Sequence, residues 1–201
     1  MKNYKYKNKI NTGFTLVETL VAISIFSVSV LALISIISQG ITNTSYAKSK
    51  IIAGYLAQEG IETMRNMRDT YVLYDSTIDP VNGSPSNGWA KFMTKLTNAA
   101  ALCNTTNGCY FDSRNLDPSN HTQPVLSVSV AACNASCPDL LYNSMTGIYG
   151  YASGNDSGFN RKIQVTQVSA DQRKVYSIVS WKQGSSSYNI SFAENFFNWV
   201  H

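Results

Sequence analysis

Few side chains in this 201-residue sequence are of the types that do chemistry. Four are cysteines, Cys103, Cys109, Cys133 and Cys137, and four cysteines allow three disulfide connectivities. Local pairing, Cys103 with Cys109 and Cys133 with Cys137, is the expectation, because each bond would pin an otherwise loose loop. A zinc site is the alternative, but spacings of five and three intervening residues fit the usual short zinc knuckles poorly. Two histidines, His121 in a loop-like stretch and His201 at the last position, have no Ser or Cys beside them that would make a nucleophile and base. No phosphate-binding Gly loop and no HExxH occurs. Asp156 in "GNDSG" offers one carboxylate where a calcium loop needs several, and a plain turn accounts for it. No catalytic residue, metal or cofactor is expected.

The remaining candidate is Glu18. It is the only formal charge between Phe14 and Ala47. Leu20 to Ile37 is apolar apart from hydroxyls, which can bond back to the preceding helical turn. A helix needs about 20 apolar residues to span a bilayer, and this run suffices. Lys2, Lys5, Lys7 and Lys9 precede it and should stay cytoplasmic, placing the bulk of the chain outside. They also account for the net charge of +4: without these 4, the 16 basic side chains become 12, against 12 acidic ones. The rest of the chain therefore has no electrostatic case for binding nucleic acid.

Three readings of this segment compete. A secretory signal peptide would explain the lysines, with Ser45-Tyr46-Ala47 as a small-x-small cleavage site, but its apolar region is usually only about 7–15 residues. A plain anchor explains the length and leaves a carboxylate that costs a few kcal/mol in a bilayer, on the order of ~3. Thr15-Leu16-Val17-Glu18 also fits a capping box, with Thr15 as N-cap and Glu18 reaching back to its amide. That would hold Glu18 near the interface.

The third reading is a resemblance. Gly13-Phe14-Thr15-Leu16-Val17-Glu18, after a lysine-rich leader and before an unbroken apolar helix, resembles the processing site of type IV pilin precursors and their relatives. The resemblance is close over residues 13–38. It implies cleavage between Gly13 and Phe14 by a prepilin peptidase, N-methylation of Phe14, and a role for Glu18 in subunit assembly. In a filament of packed anchors a buried carboxylate needs a cationic partner, and the family's proposed partner is the amine of a neighbour's first residue, here Phe14. Ser29, Ala32, Ser35 and Ser38 give that helix a small-residue stripe of the kind that lets apolar helices approach closely.

Beyond the anchor, "AKSKIIAGYLAQEGIETMRNMRD" continues as helix to about residue 68. Ala53, Leu56, Ala57, Gly60, Ile61, Met64 and Met67 fall on one face at helical spacing and should pack on a sheet. One helix from Phe14 to Arg68 would extend about 80 Å, so its second half must belong to a soluble domain. Residues 75–120 are rich in Pro, Gly, Asn and Ser and read as loops, with a short helix over Ala90–Leu102. "PVLSVSVA", "RKIQVTQVS", "KVYSIVSW" and "SSYNISFAENFF" alternate with a period of two and read as strands. Turns fall at Ala170-Asp171-Gln172 and Gln183-Gly184-Ser185, and Tyr188, Ile190 and Phe192 share a face. Consecutive strands with short turns give an antiparallel sheet, one face free for the helix. Cysteines placed outside the cytoplasm would be oxidised.

The fold class is therefore α+β: a long N-terminal helix, membrane-spanning in its first half, packed on a C-terminal antiparallel sheet, as in pilins. The expected divisions are a leader at 1–13, a membrane or filament-core helix at 14–38, the outer half of the helix at 39–70, and a globular domain at 71–201, with loops at 71–124 and the sheet at 125–201. "YLAQEGIETMRNMRD" and, more loosely, the C-terminal strands resemble minor pilins of the PilV type and pseudopilins of type II secretion. One departure from major pilins points the same way: no cysteine lies beyond Cys137. A second, the absence at Leu33-Ile34-Ser35-Ile36 of the Pro that major pilins carry, bears on how the anchor would stretch or melt on assembly. The expected function is a structural subunit, a minor pilin or pseudopilin, with prepilin peptidase, other pilin subunits and the membrane as partners. It would pass the cytoplasmic membrane once before joining a surface or periplasmic filament. The alternatives are an adhesin displayed on such a filament, using Trp89, Trp181 and Trp199, or a pseudopilin of a secretion or DNA-uptake system. A tethered enzyme has no residues to support it.

Overall fold

The computed structural model describes residues 13–78, 88–114 and 128–198. The leader lysines, His121, Trp199, His201 and the first half of "PVLSVSVA" lie outside them. The chain divides into two units, one ending at Tyr46 and the other starting at Ala47. Helix α1, Leu16–Ile78, belongs to both.

The first unit is α1 up to Tyr46. Its Ile23, Phe26, Leu31 and Ile34 are exposed, and the helix is long and apolar enough to cross a membrane. Three of its hydroxyls are internally satisfied: Ser24 Oγ donates to Val21 O, Ser27 Oγ to Ile23 O and Ser29 Oγ to Ile25 O, each at 2.8 Å. That removes the cost of carrying serine in an apolar medium.

In the second unit α1 lies on an antiparallel sheet. All seven residues of the expected stripe, from Ala53 to Met67, are buried. Met64 and Met67 are fully covered, and burial of a side chain of that size stabilises by about 2 kcal/mol. Helix α2, Gly88–Thr97, buries Trp89, Phe92 and Leu96. The strands are β1 (Cys109–Phe111), β2 (Val130–Ala132), β3 (Asp139–Asn143), β4 (Ile148–Gly150), β5 (Asn155–Gln167), β6 (Gln172–Gln183) and β7 (Ser186–Phe197). β5, β6 and β7 form a meander of long strands. β6 takes one edge of β5 from Phe159 to Gln167. The other edge is shared, with β3 pairing along Asn155–Asn160 and β1 at Ile163. β2 and β4 lie outside β1 and β3. The face of β5 and β6 turned to α1 carries Phe159, Ile163, Val165, Val175, Val179 and Trp181, all buried.

One glycine sets how closely helix and sheet approach. A Cβ on Gly60 would stand 2.3 Å from Ser177 Oγ and 3.2 Å from Ile163 Cδ1. Only a residue without a side chain brings the α1 backbone this near to β6 and β5.

Several boundaries differ from the sequence reading. α1 continues to Ile78 because its stripe does: Tyr71 and Val72 pack beside Phe92 and Trp89 of α2. The span assigned to loops at 71–124 thus holds the end of α1, all of α2 and strand β1. α2 stops at Thr97 rather than Leu102, since Asn98 Oδ1 accepts the N–H groups of Ala100 and Ala101 at 3.0 and 2.8 Å and turns the chain. β1, β3 and β4 have three to five residues each, too few for a period-two signal. β5 starts at Asn155, inside "GNDSG", where a bulge shifts the register against β3 between Leu140 and Leu141. Gly158 supplies the positive φ of 72° that the bulge needs, and Asp156 Oδ1 accepts its N–H at 2.9 Å.

Candidate functional site

The N-terminal segment holds the residues singled out for processing and assembly. Gly13 and Phe14 precede α1 and are exposed, Phe14 to 80%. Thr15 caps the helix: its Oγ1 accepts the Glu18 N–H at 3.3 Å, and its carbonyl accepts that of Thr19 at 3.2 Å. This is one half of a capping box. The other half is absent: among the described residues no hydrogen bond joins the Glu18 carboxylate to the Thr15 amide, and no cation pairs with it. Glu18 instead stands exposed in the first turn. A carboxylate there is favoured by the helix dipole. An accessible Gly-Phe bond in non-helical backbone, followed one turn later by a free carboxylate and then by apolar helix, suits a substrate of a processing enzyme better than a catalyst.

The cysteines form two staples. Cys103 is bonded to Cys109 and Cys133 to Cys137, with Cα separations of 4.6 and 4.5 Å. They lie side by side at the β1–β2 end of the sheet. Cys133 N–H donates to Gly108 O at 3.0 Å, and Cys109 pairs with Ala132 across β1 and β2. All four are buried and none is free. Together they fix the loops that deliver β1 to the edge of β5.

Sequence reasoning missed a polar hub between α1 and the sheet. Arg161, only 2% exposed, sits among the apolar residues on the helix-facing side of β5. Its Nη1 donates to Leu56 O at 3.3 Å and meets Glu59 Oε2 at 3.3 Å, while Nη2 donates to Phe111 O at 3.2 Å. The guanidinium lies 5.0 Å over the Phe111 ring. Ser113 Oγ donates to the other Glu59 oxygen. Burial pushes the nearby Tyr151 phenol up to about 12, against the opposing pull of Arg161. One guanidinium thus ties α1, β1 and β5 together. The available signal was its position, two residues after Phe159 and two before Ile163, on the inward side of the alternation.

A cleft of about 560 Å³ lies where β1–β2 and β3–β4 share the edge of β5, lined by Tyr110, Asp112, Asn143, Ile148 and Tyr151. Its polar groups serve the fold. Asp112 accepts the N–H groups of Arg114 and Tyr151, and Asn143 those of Met145 and Thr146. Trp89 and Trp181 are core residues, 9% and 5% exposed, so neither offers a surface for attachment. Among the described residues no group of three or more His, Cys, Asp or Glu side chains could hold a metal ion.

Residues 8–34 match the prokaryotic N-terminal methylation motif. No curated protein and no solved structure matches the chain. The matched residues include Gly13, Phe14, Glu18 and the first half of the exposed apolar helix. The N-terminal segment is therefore that of a type IV pilin-like precursor, a membrane-anchored chain presented to prepilin peptidase.

Proposed function

We propose that the chain is a minor subunit of a type IV pilus or related filament, a minor pilin or pseudopilin. It is cut between Gly13 and Phe14, methylated on the Phe14 amine and placed in register through Glu18. One observation carries the reading: within the methylation motif, Glu18 is a free carboxylate on an exposed apolar helix. Its own chain supplies no cation among the described residues. Packed against other anchors, that charge would be desolvated, and removing it from water without a partner costs several kcal/mol, on the order of ~3–5. Cleavage supplies the partner, since it creates an amine on Phe14 that a neighbouring subunit can present. The second unit then stands outside the membrane, where its disulfides persist.

The test is the N-terminal mass of the mature protein from a host with its own peptidase. The expected species begins at N-methylated Phe14. A chain beginning at Lys48 would mean a secreted domain, and one retaining Met1 a plain anchor; either result overturns the reading.

A further inference from the structure

The described sheet ends in three outer strands, and they are treated differently. β2 and β4 have three residues each, short enough to offer little to another chain. β7 has 12 and pairs with β6 in unbroken register from Ser186 to Phe197. It has no bulge, no Lys and no Pro, and of the usual protections of an edge it keeps only an inward charge. Its single charge, Glu194, is turned inward to Arg65 of α1, whose Nε donates to it at 3.0 Å. Among the described residues no strand lies on its other side.

The free backbone groups can be assigned. Asn198 N–H donates to Asp171 O at 2.9 Å. Antiparallel ladders alternate in direction, so even-numbered residues of β7 bond to β6. Ser187, Asn189, Ser191, Ala193, Asn195 and Phe197 therefore direct N–H and C=O to the open edge. A strand suited to that edge would be uncharged there, with apolar side chains on the α1 side and small polar ones on the other. β7 itself meets this description over Tyr188–Phe192, with Tyr188, Ile190 and Phe192 on one face and the small polar Asn189 and Ser191 on the other, and its one charge, Glu194, is already paired with Arg65.

We propose that the open edge of β7 pairs with the same edge of a second copy, antiparallel about a twofold axis at Ser191. Equivalent faces then lie on the same side, so even residues oppose even residues. Two such registers give the longest overlap. An axis at Phe192 would set Ile190 against the Glu194 carboxylate in both halves. An axis at Ser191 sets Ile190 against Phe192, which is 38% exposed in the single chain, and Tyr188 against Glu194. Cross-strand pairs of the first kind stabilise a sheet. The result is one sheet continued across two chains, an isologous contact. It is independent of processing and applies equally to the uncut chain.

Single cysteines test it on the full-length chain in detergent, because the four native cysteines are already bonded to one another. Ser191 would face its own copy across about 5.5 Å, within the range of about 4.4–6.8 Å that a disulfide spans. Asn189 would lie about 13–14 Å along the strands from its own copy and directly opposite Ala193. Mild oxidation should therefore give a covalent dimer with Ser191→Cys and none with Asn189→Cys or Ala193→Cys alone. A mixture of those two variants should give a heterodimer. Monomeric Ser191→Cys, or equal dimer yields from all three variants, would overturn the proposal. So would a disulfide from Ser191→Cys to a different protein, which would assign the edge to another chain.

Discussion

Gly60→Ala gives a test whose sign depends on the structure. In an exposed helical position this change stabilises by about 1 kcal/mol, because alanine loses less backbone freedom than glycine. Here the new methyl would meet Ser177 Oγ at 2.3 Å, Ser177 Cβ at 3.1 Å and Ile163 Cδ1 at 3.2 Å. Ser177 is fully buried, so its hydroxyl has little room to retreat. Overpacking of this kind costs about 1–3 kcal/mol. Set against the propensity gain, the net expectation is a loss of up to about 2 kcal/mol, or a fall in Tm of up to about 8 °C for a domain of this size. The second change is Ser177→Ala, which removes the closest contact and a hydroxyl that has no hydrogen-bond partner. Gly60→Ala should therefore cost less in the Ser177→Ala background, with a coupling of about 1 kcal/mol, as expected for residues in contact. The assay is thermal unfolding, followed by tryptophan fluorescence, of a fragment from Ala47 onward, which keeps every buried core residue. A rise in Tm for Gly60→Ala alone would refute the close approach of α1 to β6.

Other outcomes follow from the hub, the staples and the anchor. Arg161→Ala should destabilise by about 3 kcal/mol in denaturant unfolding, because it strands Glu59 and two backbone carbonyls, whereas Lys182→Ala, at an exposed position of β6, should change little. Replacing Cys133 and Cys137 together by Ser should cost about 2 kcal/mol, the value for closing a loop this short, and the loss should vanish when both proteins are compared under reducing conditions. Tyr151 has a folded pKa raised to about 12 from 10.0, so the folded state holds its proton where the unfolded state has lost it. Stability should fall as pH rises from 10 towards 12, and Tyr151→Phe should shallow that fall in pH-dependent unfolding. Glu18→Gln should leave cleavage after Gly13 intact and block incorporation into filaments; incorporation at the normal level would sink the assembly role.

Periodicity made the large elements legible. The stripe from Ala53 to Met67 and the alternation of β5, β6 and β7 are dense local patterns, and burial follows them residue by residue in α1 and over Phe159–Val165 of β5 and Val175–Trp181 of β6. β1, β3 and β4 could not be read in this way. "CYF" and "DLLYN" are strands because β5 offers them an edge, and "IYG" because β3 does, which is a tertiary fact. The last turns of α1 depend likewise on α2, whose Phe92 and Trp89 give Tyr71 and Val72 something to cover. At the N-terminus the spacing of Gly13, Phe14 and Glu18 was fully visible, because the pattern is local in the sequence and depends on no tertiary contact. Arg161 was visible in type and position, yet a cation in an inward register is only recognisable as structural once Leu56, Glu59 and Phe111 are known to converge on it.

The order in which the chain is made bears on how α1 finds its place. The half of α1 that carries the buried stripe emerges early, and the strands it rests on are among the last to appear. Leu56 waits 105 residues for Arg161, and Arg65 waits 129 for Glu194. Until then the stripe has no surface to cover it, and such contacts of long sequence separation form slowly. A ribosome stalled before β5 would leave an amphipathic helix with nothing to dock on, the kind of species that aggregates or is held by chaperones. The meander, by contrast, can zip locally as soon as it exists, so the last part of the chain, from Asn155 onward, is the template on which the earlier part settles.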